Sequence, residues 1–407
     1  MNAADIRPID SAARTQSLFD LFVIFIGANV VATTFQVGAS LAASFSLRAT
    51  LGMIAAGSVI GAAFVAVLVP LGPRLGVPSV IAARPALGIR GAGLVAAVLY
   101  ISNFAWIAVN NVIAASACAK AAGGGSETVW AFALGIAATA IVWKGPHAVA
   151  LADRLAVPLM LAVGVLLTVA CVRAPAAATP LPTAVLSWSR GLDVVVGYQV
   201  SWILMFADYS RYSRSSRGTG WIVFAALAGT SLWMMPLGAM AATAAGTNDP
   251  GAMMTAVGLG VWGAVLLTLA TVTTNFVNIY MSSLAWKSLV PSGNDSAIIW
   301  SIGLIGTALS ALPSVWLEQY TNFMIVLGAV LLPIGGILVA HYYLGRQRID
   351  ASVIADLYNP AGPFRSVSTA GLAAWFAGAV VFFAAGSIGG TLPAFVVSIA
   401  IYGMLRR

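Results

Sequence analysis

The amino-acid sequence predicts an all-α integral membrane protein with twelve transmembrane helices. Three observations indicate this class: 60% of the 407 residues are apolar, only 8% are charged, and the mean hydropathy is +0.95. A typical soluble domain has about 45–50% apolar and about 25% charged residues. Because a membrane helix needs about 20 consecutive apolar residues, the number of spans can be read from the apolar stretches.

Twelve stretches satisfy that requirement. In chain order, spans 1 to 12 are residues 17–43, 49–71, 91–121, 127–144, 147–172, 191–210, 219–245, 256–287, 296–314, 320–345, 369–386 and 388–405. Residues 1–16 form a polar N-terminal tail, and residues 346–368 form a linker that precedes the terminal pair and its short tail, residues 369–407. That pair carries no polar group near its middle, so we expect it to be a peripheral scaffold.

The positions of the basic residues predict the orientation of the spans. Fifteen of the 20 Lys and Arg residues fall on the side of the N-terminus, four fall on the opposite side, and Arg154 lies within span 5. Cytoplasmic loops carry the excess of Lys and Arg, so both termini are predicted to be cytoplasmic, in a bacterial inner (plasma) membrane. On the same side, Pro73–Gly91, called connection 2–3, is too broken by Pro and Gly to span, and we expect a re-entrant or interfacial segment.

The polar residues do not predict an enzyme or a nucleic-acid-binding protein. Only two histidines occur, His147 and His341, and no Cys, His and carboxylate residues share the spacing of metal ligands. The net charge of +8 is scattered between the spans and forms no basic patch. We therefore expect the lipid bilayer and a small solute as partners, no nucleic acid, and a monomeric chain.

Two spans are interrupted near their middle by small and polar residues. Span 1 contains Gly27-Ala28-Asn29 followed by Thr33-Thr34-Phe35-Gln36, and span 6 contains Gly197-Tyr198-Gln199-Val200-Ser201-Trp202. Polar groups persist at membrane depth only against protein or in a wet cavity, and a pair of interrupted spans in two halves of a chain indicates a transporter's substrate site. The alternative is that these small residues are packing positions between helices.

Span 3 carries a stripe that can bind a flat, uncharged solute. Asn103, Trp106 and Asn110 fall on one face of a helix. A Trp ring beside carboxamides can stack on a heterocycle and hydrogen-bond its edge, each worth about 1 kcal/mol. No fixed charge lies at the centre of the spans, which favours a neutral substrate. Alternatively, Trp106 packs in the bundle while the amides bond neighbouring helices. Asp208 and Arg211, at the end of span 6, are interpreted as a cytoplasmic network or gate hinge.

Span 8 contains a candidate cation site. In TLATVTTNFVNIY, Ala270, Thr273 and Thr274 are placed so that two hydroxyls and one backbone carbonyl can approach a single point. The break in span 1 can add the Gly27 and Val30 carbonyls, which gives five neutral oxygens, the type of ligand that hard cations prefer. Threonines in membrane helices also commonly bond the carbonyl four residues earlier, so the alternative is an ordinary helix.

Five stretches together resemble one family over nearly the whole chain. They are RLGVPSVIAARPALGIRG after span 2, NFAW in span 3, SWILMFADYSRY in span 6, TTNFVNIY in span 8 and NFMIVLGAVLLPIGGILVAHYYL in span 10. They resemble the nucleobase–cation symporter-1 family, also called the purine/cytosine permease family, and within it bacterial cytosine permeases and hydroxymethylpyrimidine transporters. The resemblance implies the LeuT-type fold: spans 1–5 (residues 17–172) and 6–10 (191–345) form an inverted repeat, and spans 11 and 12 are additional.

The resemblance also implies roles for individual residues. Trp106 occupies the position of the family's stacking Trp, Asn103 that of a substrate-bonding Gln in cytosine permeases, and Asn110 that of an amide in hydantoin carriers. Gln199 stands where a second stacking aromatic is usual, and Trp202 can replace it from one turn on. The complete predicted substrate site is Thr33, Thr34, Gln36, Asn103, Trp106, Asn110, Gln199, Ser201, Trp202, Asn275 and Asn278. The predicted Na⁺ site is Gly27, Val30, Ala270, Thr273 and Thr274.

The sequence therefore predicts a secondary transporter that imports a neutral planar pyrimidine-type compound, cytosine or hydroxymethylpyrimidine, together with Na⁺ and without an organic cofactor. The alternative within the class is an H⁺-coupled carrier of another heterocycle, such as a purine, uracil or a hydantoin. A different class, a base sensor or a channel on the same scaffold, is less favoured, because no soluble signalling domain and no ring of charges is visible.

Overall fold

The computed structural model describes residues 6–175, 186–290, 293–345 and 351–406. The first five residues of the predicted tail, residues 346–350 of the predicted linker and Arg407 lie outside the described residues. Within the described residues, six helices are long and apolar enough to cross a membrane: Leu47–Leu75, Ile89–Ala121, His147–Arg173, Thr219–Ala245, Gly260–Leu289 and Tyr320–Leu344. They correspond to spans 2, 3, 5, 7, 8 and 10.

The other predicted spans are shorter or broken helices. Four apolar helices, Glu127–Trp143, Asp295–Leu309, Thr369–Ala384 and Thr391–Leu405, correspond to spans 4, 9, 11 and 12. Spans 1 and 6 are each divided into segments. Each predicted span therefore contains helix, whereas the count of twelve membrane crossings stays a prediction.

Span 1 is a bent pair of helices. Leu18–Asn29 and Ala32–Ala42 meet at an angle of 51°. The first helix begins with a capping box, in which the Asp20 backbone N–H donates to Ser17 Oγ (3.1 Å) and the Ser17 N–H donates to the Asp20 carboxylate (2.8 Å). The predicted interruption is thus present, with its turning point at Val30 and Val31.

Span 6 changes pitch but continues. The α-helix Trp188–Val200 passes into a 3₁₀ segment, Ser201–Met205, and then into a last α-turn, Phe206–Ser210. The predicted interruption, Gly197–Trp202, overlaps only the start of the 3₁₀ segment. Gly197 is still regular helix, and the Met324 carbonyl of span 10 occupies the space that a Cβ would need. At this glycine the sequence signal reports close helix packing.

Spans 1 and 7 approach each other through a reciprocal glycine contact. A Cβ on Gly38 would collide with the Met235 carbonyl, and a Cβ on Gly238 would collide with the Phe35 carbonyl. Such close backbone contact is the usual function of small residues between membrane helices. Spans 3 and 8 likewise pack along their length and form the other side of the core.

Two predicted boundaries are displaced by proline. The predicted span 9, residues 296–314, ends as a helix at Leu309, and a separate short helix, Pro313–Glu318, follows. Before span 8 a short helix, Pro250–Ala256, occupies the connection from span 7, so the long helix starts at Gly260. Proline has no backbone N–H to donate and is favoured in the first turn of a helix. This preference explains why the two short helices begin at Pro313 and Pro250.

Connection 2–3 is a buried junction of short helices. Its helices are Leu71–Leu75, Ser79–Ala82 and Arg84–Leu87. Arg84 is 8% exposed and donates to the Leu357 carbonyl of the linker (2.6 Å) and to the Ser288 carbonyl at the end of span 8 (3.3 Å). The segment therefore joins parts of the chain that are far apart in sequence.

Both ends of the described chain lie at the same end of the molecule. The Ile9 N–H donates to the Gly76 carbonyl of connection 2–3 (2.9 Å), and Tyr358 Oη donates to the Ile6 carbonyl (2.5 Å). Arg406 donates to the His341 carbonyl at the end of span 10 (3.3 Å). This arrangement agrees with termini on one side, while their cytoplasmic location stays a prediction.

Span 12 is attached at both of its ends. The buried Asp193 carboxylate, at the start of span 6, accepts from the Gly390 N–H (2.9 Å), the Thr391 N–H (3.1 Å) and the Thr391 hydroxyl (2.7 Å). At the other end, Tyr402 Oη lies 2.7 Å from Nδ1 of His341, in the π-helical turn that ends span 10. Span 12 thus has a polar anchor at each end.

Candidate substrate and cation sites

A cavity lies where the breaks of spans 1 and 6 meet spans 3 and 8. It is open on one side, and the empty space amounts to about 400 Å³ when the open solvent at its mouth is counted. The lining residues are Ala28, Val31, Thr33, Trp106, Tyr198, Ser201, Trp202, Met205, Thr274, Val277 and Asn278. None of these eleven residues is charged. The structure thus brings Thr33, Trp106, Ser201, Trp202 and Asn278 of the predicted substrate site to one space.

Aromatic rings form much of the wall around Trp106. Its ring meets Tyr198 of span 6 edge-on at a centroid distance of 5.9 Å and Phe323 of span 10 at 5.1 Å. Trp202, the predicted replacement for the missing aromatic, contacts Phe25 of span 1 at 5.5 Å. Sequence analysis did not identify Tyr198 or Phe323, although Tyr198 lies within the quoted break of span 6.

Gln199 is directed away from the cavity. Its Nε2 donates to Ser231 Oγ of span 7 (2.9 Å) and to the Leu227 carbonyl (3.4 Å), and the side chain is fully buried. Adjacent residues on a helix point about 100° apart, so Tyr198 faces the cavity when Gln199 faces span 7. At this level of span 6, Tyr198 contacts the cavity and Gln199 does not.

Thr34 lies behind the cavity wall in a hydrogen-bonded cluster. Its Oγ1 donates to the Asn29 carbonyl (2.5 Å) and lies 2.5 Å from Tyr198 Oη. Asn29 in turn donates to Thr230 Oγ1 (2.7 Å) and Ser231 Oγ (3.0 Å) of span 7. This cluster fixes the break of span 1 against spans 6 and 7.

Gln36 lies outside the cavity. It is fully buried in the second helix of span 1, and its Nε2 donates to the Asn248 carbonyl, in the connection after span 7 (3.0 Å). The side chain thus reaches the end of span 7 and not the break.

The predicted stripe of span 3 is formed, and its two amides are fully buried beside the cavity and not in its lining. Asn110 donates to the Trp106 carbonyl of its own helix (2.8 Å), which leaves its Oδ1 without a partner within the described chain. Both amide atoms of Asn103 also lack a partner among the residues described. Buried amides are normally hydrogen-bonded, so these groups are available to a ligand or a water.

Asn275 and Asn278 of span 8 form a chain of hydrogen-bonded amides with Asn111 of span 3. Asn275 Nδ2 donates to Asn111 Oδ1 (2.8 Å), and Asn278 Nδ2 donates to Asn275 Oδ1 (3.4 Å). Only Asn278 lines the cavity; Asn275 lies behind it and is fully buried. Sequence analysis did not identify Asn111, because nothing local distinguishes it from its neighbour Asn110.

One predicted cation-site residue of span 1, Gly27, and one of span 8, Thr273, lie beside span 5. The nearest atom to a Cβ on Gly27 would be Val157 Cγ2 (3.9 Å), and Thr273 Oγ1 lies 3.8 Å from Met160 Sδ. Since Val157 and Met160 are one helical turn apart, the two groups lie on neighbouring parts of span 5. Val30 and Ala270 are buried at 1% exposure.

The threonine hydroxyls of span 8 bond their own helix. Thr274 Oγ1 donates to the Ala270 carbonyl (2.6 Å), and Thr273 Oγ1 donates to the Leu269 carbonyl (3.0 Å) and the Ala270 carbonyl (3.2 Å). A hydroxyl that donates in this way keeps its oxygen lone pairs for a cation. The two hydroxyl oxygens of span 8 are therefore of the type that a small hard cation prefers, whereas their meeting with the Gly27 and Val30 carbonyls stays a prediction.

Asp208 and Arg211 are buried at the C-terminal end of span 6. The Asp208 carboxylate accepts from the Ser79 hydroxyl (2.5 Å) and the Ser79 N–H (3.3 Å) at the start of a helix in connection 2–3. Arg211 is fully buried, donates to Tyr212 Oη (3.1 Å) and stacks on that ring. The contacts between Asp208 and Ser79 join span 6 to connection 2–3, while a role as a gate hinge stays a prediction.

The sequence of the chain matches one family model almost from end to end. The model, described as permease for cytosine/purines, uracil, thiamine and allantoin, matches residues 8–404. The chain belongs to this family. The cytosine permease of Escherichia coli (strain K12) is 25% identical over 349 residues, which cover 84% of this chain and 81% of that protein. The resemblance recognised in the sequence is thereby confirmed, and this family member is a transporter, not an enzyme.

Two solved structures show the fold of this permease. The inward-facing conformation of Mhp1 superposes with a TM-score of 0.84 at 19% identity and covers 98% of this chain and 91% of that one. Mhp1 in a closed conformation with bromovinylhydantoin bound, described as a nucleobase-cation-symport-1 family transporter, gives 0.80 at 19% identity, over 100% and 95%. The permease therefore has the LeuT-type fold.

Proposed function

We propose that this permease imports a neutral planar pyrimidine-type compound, cytosine or hydroxymethylpyrimidine, together with Na⁺ by alternating access. The observation that carries the proposal is the uncharged cavity between two broken and two continuous spans, lined by Trp106, Tyr198 and Trp202. A substrate with a full charge would lie at membrane depth without a counter-charge there, which is costly. A flat neutral ring instead gains stacking on Trp106.

The amides beside the cavity favour a heterocyclic substrate over a purely hydrocarbon aromatic ring. Asn278 lines the cavity, and Asn103 and Asn110 hold unpaired amide atoms one turn either side of Trp106. A buried polar group without a partner costs about 1–3 kcal/mol, so a ligand that pairs with it is selected over an apolar one of the same shape. Ring nitrogens, carbonyls and exocyclic amino groups are suitable partners.

The ion is proposed from the arrangement of spans 1, 5 and 8. Gly27 and Val30 are at or beside the break of span 1, and Thr273, Thr274 and the Ala270 carbonyl belong to a continuous helix. A cation between them would tie the moving span to the fixed one. Among the described residues that line the cavity there is no carboxylate, which favours a metal ion over a proton as the coupled species.

The binding of Na⁺ and the binding of substrate are coupled because both ligands contact the break of span 1. Na⁺ would order the first half of span 1 beside Thr33, which lines the substrate cavity. Each ligand then favours the same conformation, and the mutual effect on affinity is typically 1–3 kcal/mol, or about 5- to 150-fold. Spans 1, 2, 6 and 7 would rock against spans 3, 4, 8 and 9, with the inner network of Asp208 and Arg211 as the hinge.

The test is uptake by the purified permease in proteoliposomes. We expect [¹⁴C]cytosine or labelled hydroxymethylpyrimidine to accumulate under an inward Na⁺ gradient and to exchange in counterflow. Accumulation driven by a pH gradient and indifferent to Na⁺ would instead establish the H⁺-coupled alternative. Exchange without accumulation under either gradient would indicate a channel or a uniporter, and the absence of any exchange would overturn pyrimidine transport.

A further inference from the structure

The first helix of span 1 carries a phenylalanine, Phe25, that packs between two rings of span 6. The centroid of the Phe25 ring lies 5.5 Å from that of Trp202 and 6.0 Å from that of Tyr209. We call Phe25, Trp202 and Tyr209 the ring cluster. Phe25 is fully buried, and neither it nor Tyr209 is among the residues that line the cavity. Within the cluster, Trp202 is therefore the residue that can contact a substrate.

The ring cluster extends over the irregular part of span 6. Trp202 lies in the 3₁₀ segment Ser201–Met205, and Tyr209 lies in the α-turn Phe206–Ser210 that follows it. A 3₁₀ helix has about 3.0 residues per turn and an α-helix about 3.6, so a change of pitch rotates each residue by roughly 20° relative to the one before it. Such a change would rotate Trp202 relative to Tyr209, and Phe25 could not keep both contacts in their present geometry. The position of Phe25 thus depends on the pitch of span 6.

The helix that carries Phe25 also carries residues of the proposed Na⁺ site. Phe25 and Gly27 both belong to Leu18–Asn29, and Val30 caps the end of that helix. Residues two positions apart on an α-helix point about 200° apart, so Phe25 and Gly27 lie on opposite faces. The contacts agree with this, since Gly27 lies beside Val157 of span 5 and Phe25 lies against span 6. One short helix thus connects the proposed ion site to the ring cluster.

We propose that Phe25 is a positioning residue that transmits the binding of Na⁺ to the substrate cavity through Trp202. The inference rests on the proposed function and adds the route of its coupling. Na⁺ bound at Gly27 would hold the first helix of span 1 in one position, and Phe25 would then hold Trp202 in place beside the cavity. Coupling between two sites requires an element with two arrangements that both ligands bias, and the 3₁₀ segment of span 6 is that element.

The test measures the dissociation constant of cytosine, and separately of hydroxymethylpyrimidine, in Na⁺ and in choline at equal ionic strength. The full-length permease is used in detergent, and the ratio of the two dissociation constants is called the Na⁺ factor. We expect a wild-type Na⁺ factor of about 5- to 150-fold. A dissociation constant does not depend on the fraction of protein that is folded.

Phe25→Leu keeps an apolar side chain and removes the ring. Because an aromatic pair is worth about 2- to 10-fold in an equilibrium constant and Phe25 makes two such contacts, the Na⁺ factor should fall by about threefold or more. The dissociation constant in choline should change by less, since no ion then holds the helix that carries Phe25. A general loosening of the fold would instead weaken binding in Na⁺ and in choline alike and leave the Na⁺ factor unchanged.

The matched control is Phe395→Leu, which removes a ring from another aromatic pair. Phe395 packs on Phe64 at a centroid distance of 4.4 Å, between spans 12 and 2, and does not line the cavity, so the Na⁺ factor should persist. If Phe25→Leu does not fold, Tyr209→Leu removes the ring on the other side of Phe25 and should also lower the Na⁺ factor. The double variant should lose no more than the more affected single one, since Tyr209 acts through Phe25.

An unchanged Na⁺ factor in folded Phe25→Leu would overturn the role of Phe25. A factor that falls in Tyr198→Phe and not in Phe25→Leu would also overturn it, and would assign the coupling to the hydrogen bond from Tyr198 Oη to Asn29 Oδ1 (3.3 Å). Two results with the wild type concern the function beneath the inference. Binding indifferent to Na⁺ would overturn Na⁺ coupling and this route with it, and binding of neither compound would overturn pyrimidine transport itself.

Discussion

The cavity of this permease has two kinds of wall. Spans 3 and 8 are continuous helices, Ile89–Ala121 and Gly260–Leu289, whereas span 1 bends by 51° and span 6 passes into a 3₁₀ segment. The continuous walls contribute Trp106 and Asn278, side chains held on regular helices. The broken walls contribute backbone that can change its direction or pitch. We infer that the first pair determines which solute binds and the second pair determines what binding does to the conformation.

The two broken spans also differ from each other. Span 1 changes direction at Val30 and Val31, and the adjacent Asn29 side chain holds it by hydrogen bonds to spans 6 and 7. At Ser201 span 6 keeps its course and tightens, while Gly197 packs directly on the backbone of span 10. Similar sequence signals therefore mark a bend in one span and a packing contact in the other.

The largest effect is expected on the continuous wall. Trp106→Ala removes the ring on which the substrate stacks, and base–aromatic stacking is worth about 1–3 kcal/mol, which corresponds to about 5- to 150-fold in affinity. We expect the thermal shift caused by cytosine to disappear while the unliganded protein unfolds normally. The control is Trp221→Ala, since Trp221 is 78% exposed. A full ligand shift in Trp106→Ala would place the substrate elsewhere.

A smaller effect on substrate binding is expected from a substitution at the proposed Na⁺ site, where span 8, a continuous helix, meets the broken span 1. Thr274→Val keeps the shape of the side chain and removes an oxygen ligand of the proposed Na⁺ site. The factor by which Na⁺ raises substrate affinity should therefore fall from about 5- to 150-fold in the wild type to less than twofold. Affinity measured without Na⁺ should fall by much less, because the Thr274 hydroxyl, although it lines the cavity, already donates to the Ala270 carbonyl. Titration of substrate at several Na⁺ concentrations measures both.

Thr243→Val is the matched control for this variant. Thr243 Oγ1 makes the same bond to its own helix, at the Ala239 carbonyl (2.8 Å), but lies on span 7 outside the cavity. An unchanged Na⁺ effect in Thr274→Val would remove span 8 from the ion site.

The stripe of span 3 could be predicted from sequence, because helical periodicity alone places Trp106 between two amides. The breaks were found because Gly and polar residues are unusual in the middle of a span. The face of span 6 could not be predicted: whether Tyr198 or Gln199 enters the cavity depends on a rotation of about 100°, which packing against span 7 decides.

Asn111 could not be predicted for a different reason. Its partner, Asn275, is 164 positions away in sequence, and only the packing of spans 3 and 8 brings the amides together. Similarly, Gln36 was assigned to the substrate site from its place in the break, but the bend carries it to the end of span 7. Local patterns identify which helices are special; contacts between helices decide which side chains meet.

A matched pair of glycines tests the difference between the two breaks. Gly197→Ala forces a Cβ into the Met324 carbonyl and should destabilise the permease by about 1–3 kcal/mol, the typical cost of overpacking. Gly27→Ala meets only Val157 at 3.9 Å, an ordinary contact, and should leave the unfolding temperature nearly unchanged. Thermal unfolding without ligand measures both. Equal losses would mean that the two breaks are packed alike.

The smallest effect is expected from the hydroxyl that links the two broken spans. Tyr198 Oη lies 2.5 Å from Thr34 Oγ1 and donates to Asn29 Oδ1 (3.3 Å), so Tyr198→Phe keeps the ring beside Trp106 and removes the bridge. One hydrogen bond contributes about 0.5–1.5 kcal/mol, or about 2- to 10-fold in affinity if the bound conformation requires it. Tyr343→Phe removes a single bond to the Val67 carbonyl and provides the control. If both variants bind substrate like the wild type, the bridge stabilises the fold alone, and the coupling between the broken spans depends on the ion.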